Sequence, residues 1–131
     1  MTALRRRLRG ERGANSIEFV LYTPLLFLII LVIVQFALTW HANQIATSTA
    51  REAARVARTS HSVAEAESAG QQFLNQVGGH QLNEEVIDVV FFGDNMVRAT
   101  VTGRGREIIP GMTPEVAQII EGPIERFDPD V

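Results

Sequence analysis

The chain contains no cysteine and no lysine, and it has one tryptophan and one tyrosine among 131 residues. Without cysteine, disulfides and thiolate metal sites are excluded, although compartment stays open because many exported proteins also lack the residue. The missing lysine leaves arginine as the only permanently cationic side chain, which we read as compositional bias rather than function. His41, His61 and His80 are widely spaced and have no carboxylate companions at metal-ligand intervals. A phosphate-cradling loop is also missing, since Gly103-Arg104-Gly105-Arg106 lacks a strand-to-helix setting. Asp88 and Asp94 flank a turn and read as surface residues. These absences leave no catalytic constellation, and the sequence reads as a non-enzyme with no cofactor and no metal.

The most informative absence is of charge between Phe19 and Trp40. A helix of about twenty residues spans roughly 30 Å, the hydrocarbon thickness of a bilayer. This stretch is apolar all round, and a chain this small has no core large enough to bury such a helix, so the reading is a transmembrane segment in contact with lipid. The run is too long for the core of an ordinary secretory signal peptide, despite small residues at Ala42 and Ala46 beyond it.

Charge is distributed unevenly around the run. Residues 1–13 carry Arg5, Arg6, Arg7, Arg9 and Arg12 against Glu11, a net +4. Residues 14–131 carry seven arginines and fourteen acids, a net −7, for a total of −3. Arginines before an apolar span stay on the cytoplasmic side, so the C-terminal part is expected outside, with Trp40 as an interfacial anchor. A basic tip that leads directly into such a span argues against nucleic acid as a partner. Gln35 is the lone amide in the run, with two open readings: a hydrogen bond to a partner helix, or a place near the interface. Pro24 marks either a kink or a helix start.

Just before the span stands Arg12-Gly13-Ala14-Asn15-Ser16-Ile17-Glu18-Phe19. Glycine, four residues, glutamate, an aromatic and then the membrane run resembles the class III signal of Flp pilins and TadE-like pseudopilins of Tad/Flp pilus systems. Gly10 does not fit, because it would place Asn15 at the glutamate position. The resemblance implies cleavage by a prepilin peptidase between Gly13 and Ala14, leaving the anchor on the product. It also implies that Glu18, with Phe19 beside it, guides assembly by pairing with the new amine of a neighbouring subunit. An acid at the rim of an apolar span needs such a partner, and an α-amino group with its ordinary value near 8 is a cation at neutral pH. The Ala/Arg-rich stretch Ser48–Arg58 and, more weakly, Glu125-Arg126-Phe127 near the end also look like this family.

Three parts follow: a basic leader 1–13, a transmembrane and extended pilin-like helix 14–60, and a small extracytoplasmic domain 61–131. The expected fold is a membrane-anchored α+β chain whose long N-terminal helix is transmembrane in its first half and amphipathic in its second. In the second half Ile45, Thr49, Ala53, Val56 and Ser60 share a narrow face, opposite a solvated face of Arg51, Arg55 and Arg58. Ser62 and Glu65 form a capping box for a second helix with Val63, Ala66, Gly70, Phe73 and Val77 inward, ended by Gly78-Gly79. Val86–Phe92 and Met96–Thr102 read as a hairpin around Gly93-Asp94-Asn95, with Ile87, Val89 and Phe91 facing Val97, Ala99 and Val101. Thr113-Pro114-Glu115 predicts a short C-terminal helix with Val116, Ile119 and Ile120 inward, before an extended tail.

As a whole the sequence reads as a minor pilin-like component of a Tad/Flp pilus assembly or secretion machine. Its expected partners are membrane lipid, the prepilin peptidase, other pilin or pseudopilin subunits and Tad membrane machinery. The expected location is the cell membrane, as a single-pass protein possible to incorporate in a pilus. The alternative is an unprocessed single-span protein whose outer domain binds an envelope partner.

Overall fold

A computed structural model describes residues 12–78 and 80–124. It contains α1 (Arg12–Ser60), α2 (Val63–Val77), β1 (Leu82–Phe92), β2 (Met96–Gly105) and β3 (Glu115–Pro123). The chain divides into two units between Val34 and Gln35. The expected tail and its Glu-Arg-Phe sequence lie outside the described residues, as does Gly79.

In the first unit α1 is apolar on every side, and its large side chains from Ile17 to Val34 are between 39% and 75% exposed. The helix is long and apolar enough to cross a membrane, and none of its apolar window is buried. Pro24 lies inside α1, which rules out the reading of a helix start there. Proline has no N–H to offer the carbonyl one turn back. In the same turn the Thr23 hydroxyl donates to the Phe19 carbonyl at 2.7 Å.

The second unit opens with the remainder of α1. There the buried residues are mostly alanine: Ala42, Ala46, Ala50, Ala53 and Ala57, with Ile45, Thr49 and Ala54 beside them. Small side chains at helical spacing let the helix axis approach a β-sheet closely, so the stripe that looked weak by hydrophobicity is a packing seam. Thr49 loses no hydrogen bond on burial, because its hydroxyl donates to the Ile45 carbonyl at 2.9 Å. Val56 and Ser60, expected inward, are half-buried at the seam's margin. Arg51 and Arg55 face solvent as expected, whereas Arg58 is half-buried and its Nε donates to the Pro123 carbonyl at 2.7 Å, tying the helix to the end of β3.

α1 ends where His61 takes a left-handed conformation (φ 56°) and donates its N–H to the Ala57 carbonyl. Ser62 then caps α2, accepting from the Glu65 amide at 3.3 Å as the capping box predicted. The inward face of α2 is Ala66, Gly70 and Leu74, rotated from the expected set, and Val77 is 54% exposed. Leu74 is the larger apolar group on that side, and its burial sets the rotation. Gly78 caps the helix, donating its N–H to the Leu74 carbonyl, and a Cβ there would lie 2.8 Å from both Cδ1 and Cγ2 of Ile45.

The sheet is antiparallel in the order β1-β2-β3. The expected hairpin is present, with Ile87, Val89 and Phe91 opposite Val101, Ala99 and Val97. The expected C-terminal helix is absent, and Glu115–Pro123 is instead the third strand, paired with β2 from Arg104↔Glu115 to Met96↔Pro123. Two physical reasons explain the change. Val116, Ile119 and Ile120 are β-branched. A two-stranded hairpin is also marginal alone, and a third strand completes the sheet. Val116 and Ile120 turn to the helices while Ile119 is 58% exposed, a period of two rather than 3.6. One sheet face lies against α1 and α2: Ala42, Ala46, Leu74, Leu82, Val101 and Val116 form one cluster, and Ala53, Ala57, Ala66, Val89, Val97 and Ala99 the other.

The alanine seam sets a steric limit. Ala50→Leu is expected to destabilise the protein by about 1–3 kcal/mol through overpacking. The exposed neighbour change Arg51→Ala should stay within about 0.5 kcal/mol. Urea unfolding of the full chain in detergent, followed by circular dichroism, measures both.

Candidate functional site

Two features carry the chemistry of this chain: the exposed apolar helix with its acidic rim, and a closed loop built around Gln35.

Arg5, Arg6, Arg7 and Arg9 lie outside the described residues. α1 begins at Arg12, so the backbone at Gly13 and Ala14 is helical. Glu18 and Phe19 follow within two turns and are both exposed. Glu18 makes no hydrogen bond or ion pair among the described residues.

Gln35 spends its amide within its own chain rather than on a partner helix. It is 4% exposed, and the loop between β2 and β3 takes up its whole amide. Its Nε2 donates to the Arg106 carbonyl at 3.0 Å. Its Oε1 accepts from the Ile108 amide at 2.8 Å and the Ile109 amide at 3.4 Å. A side-chain amide that closes two N–H groups and one carbonyl does the work of a strand partner for a segment that has none.

The loop is closed at further points. Gly105 N donates to the Pro114 carbonyl at its base, at 2.9 Å. At its tip Met112 N donates to the Ile109 carbonyl at 3.1 Å around Pro110-Gly111, and Gly111 has φ +86°. Proline followed by a positive-φ glycine with this bond is a type II turn. Glu107 ties tip to base: its carboxylate accepts from the Gly111 amide at 2.6 Å and from the Thr113 hydroxyl. Thr113 and Pro114, read from sequence as a helix start, instead close this loop. The hydrogen bond from Thr113 comes first among the causes holding the Glu107 carboxyl below its ordinary value, followed by that from Gly111.

Elsewhere the surface is ordinary. Glu52 and Arg55 form an exposed pair at 2.5 Å, which draws the glutamate's pKa down and adds little stability. On the sheet's outer face Arg98 bonds Glu121 at 2.5 Å and stacks 4.7 Å from the Phe92 ring centre. Glu84, at a register shift in β1 with φ 51°, reaches Arg104 at 3.3 Å. His41 and His80, distant in sequence, line one shallow depression of about 280 Å³ with Asn75 and Gln81. Among the described residues no group of three or more His, Asp or Glu is placed to hold a metal.

Sequence reasoning missed the Gln35 loop. The visible signals were Pro110-Gly111, the mark of a type II turn, and a charge-free run from Ile108 to Pro114. Neither said that the loop would return to an amide more than seventy residues earlier.

Gln35→Leu keeps the helix apolar but leaves loop backbone groups unpaired, at an expected cost of about 1–3 kcal/mol. Hydrogen exchange at the Ile108 amide should accelerate accordingly, with the hairpin amides unchanged. Because the Glu107 pKa is lowered in the fold, its contribution is present above the ordinary value of 4.5 and is lost as pH falls through the folded value. Protection of the Gly111 amide, corrected for intrinsic exchange, should fall as pH drops below the ordinary value of 4.5 and through the depressed value of the folded carboxyl, and Glu107→Ala should remove that dependence.

Comparison with known proteins places these features. No curated protein and no solved structure matches this chain. The family model described as TadE-like protein matches residues 13–55, from the glycine before Glu18 through the apolar run and into the alanine seam. Over that stretch the chain is similar to TadE-like proteins.

Proposed function

We propose that this chain is a pilin-like subunit of a Tad pilus assembly machine, anchored by α1 and cut by a prepilin peptidase between Gly13 and Ala14. The observation that carries the reading is a coincidence of positions. The TadE-like match begins at Gly13, and the charge-free, bilayer-length run of an exposed apolar helix begins immediately after Glu18. The arginines Arg5, Arg6, Arg7, Arg9 and Arg12 keep the leader in the cytoplasm and put the second unit outside. Its partners are then membrane lipid, the peptidase, and pilin or pseudopilin subunits with the Tad membrane machinery.

Each residue has a defined role in this reading. Helical backbone at the scissile bond must open for a protease to grip it, and glycine lowers that cost because it is about 1 kcal/mol less favourable in a helix than alanine. Removal of the first 13 of 131 residues leaves a cationic amine on Ala14, one turn from Glu18. Within one chain the exposed Glu18 points outward from the helix like its neighbours. The partner that relieves an acid in an apolar setting is then the amine of an adjoining subunit, with Phe19 packed beside it.

Mass spectrometry of the membrane-resident protein should find a chain that starts at Ala14. Gly13→Val should leave the arginine leader in place. Glu18→Ala should still be cut but should reduce piliation several-fold, as counted by electron microscopy. An intact leader on protein from piliated cells would favour an unprocessed single-span protein whose outer unit binds an envelope partner.

A further inference from the structure

From the closed loop at Gln35 we infer a second membrane contact: the tip formed by Ile108–Met112 sits in the outer leaflet of the bilayer, with lipid as its partner. The inference rests on the transmembrane reading of α1 and goes beyond it.

Depth is the first argument. At about 1.5 Å per residue, the helix from Glu18 to Gln35 covers about 26 Å. That is short of the about 30 Å hydrocarbon thickness. Gln35 therefore lies at the outer edge of the hydrocarbon rather than beyond it, and Trp40, 62% exposed, falls at the interface. Hydrogen bonds of 2.8–3.4 Å hold the loop backbone at Arg106, Ile108 and Ile109 to Gln35, so that backbone lies close to the depth of Gln35.

Composition is the second. From Ile108 to Pro114 the loop has no charge. Ile108 is 44% and Met112 52% exposed, and Pro110 and Gly111 between them also face outward. In water such a tip is a liability, whereas at a leaflet edge it buries apolar surface. Arg106, exposed where the loop leaves β2, is placed to meet headgroup phosphates.

Backbone satisfaction is the third. Irregular chain is tolerated at membrane depth only when its polar groups are closed within the protein. This loop meets the condition through Gln35, the Ile109–Met112 turn and the Gly105–Pro114 bond. Glu107 is exposed beside the tip, with its carboxylate engaged by the Gly111 amide and the Thr113 hydroxyl, which puts it at headgroup level in this placement.

The absence of native cysteine makes a direct test simple. Full-length Met112→Cys, Ile108→Cys, Ser68→Cys and Ile29→Cys carry an environment-sensitive fluorophore in vesicles of phosphatidylethanolamine and phosphatidylglycerol. The proposal expects labels at 108 and 112 to be quenched by bromine on the lipid chains and to lose quenching by aqueous iodide. The label at 68, on exposed α2, should show the reverse. Iodide quenching at 108 and 112 equal to that at 68, with lipid quenching retained at 29, overturns the loop contact alone. Loss of lipid quenching at 29 overturns the membrane reading itself. Shielding of 108 and 112 from both quenchers that disappears when protein is diluted in lipid means a second copy covers the loop, and this too overturns the lipid contact.

Discussion

The fold depends on a change of side-chain size along a single helix. Up to Val34 α1 presents Leu, Ile, Val and Phe in every direction. From Ala42 to Ala57 it presents alanine on the side that meets the sheet. Bulky branched chains make a surface suited to lipid, where no closer approach of backbone is needed. Alanines let a helix and a sheet come near enough for Val97, Val101 and Val116 to be fully buried by a small domain. A second unit of fewer than a hundred residues is near the lower limit for a core of its own, and here it includes the second half of α1 as one layer.

Gln35 stands at the changeover, and its placement unites structure with function. An amide inside an apolar run is expensive unless every polar atom finds a partner. The β2–β3 loop has the complementary problem, two amides and a carbonyl that no strand satisfies. Each resolves the other, and the loop is held at the point where the apolar run ends. The remaining ties, Arg58 to Pro123 and Asn95 to Ile124, act at the other end of the sheet and hold β3 there.

Function in this reading lies at the rim of the anchor rather than in a pocket. The depressions of the second unit are shallow, and several charged groups on its surface are engaged in exposed pairs, Arg98 with Glu121 and Arg104 with Glu84 among them. Glu18, by contrast, is an acid on an apolar helix without a partner in its own chain among the described residues. In the proposed reading its partner is the amine of a second subunit.

Local physics made much of this legible from sequence. A charge-free run of bilayer length, a Ser-x-x-Glu cap and a hairpin of alternating β-branched residues each state their structure within a few residues, and α1, α2, β1 and β2 formed accordingly. The glycine-to-glutamate spacing that carried the family resemblance is likewise a local pattern, and the family match begins at that glycine. Tertiary structure decided what local pattern left balanced. Glu115–Pro123 carried a helix-start signal, but the open edge of β2 offered a full ladder of hydrogen bonds and made it a strand. The rotation of α2, the bond from Arg58 to the end of β3 and the closure of a distant loop on Gln35 depended on which surfaces met across the core. Short-range signals fix the conformation of a segment, whereas the partner of a buried polar group is chosen only when the chain has folded and water is gone.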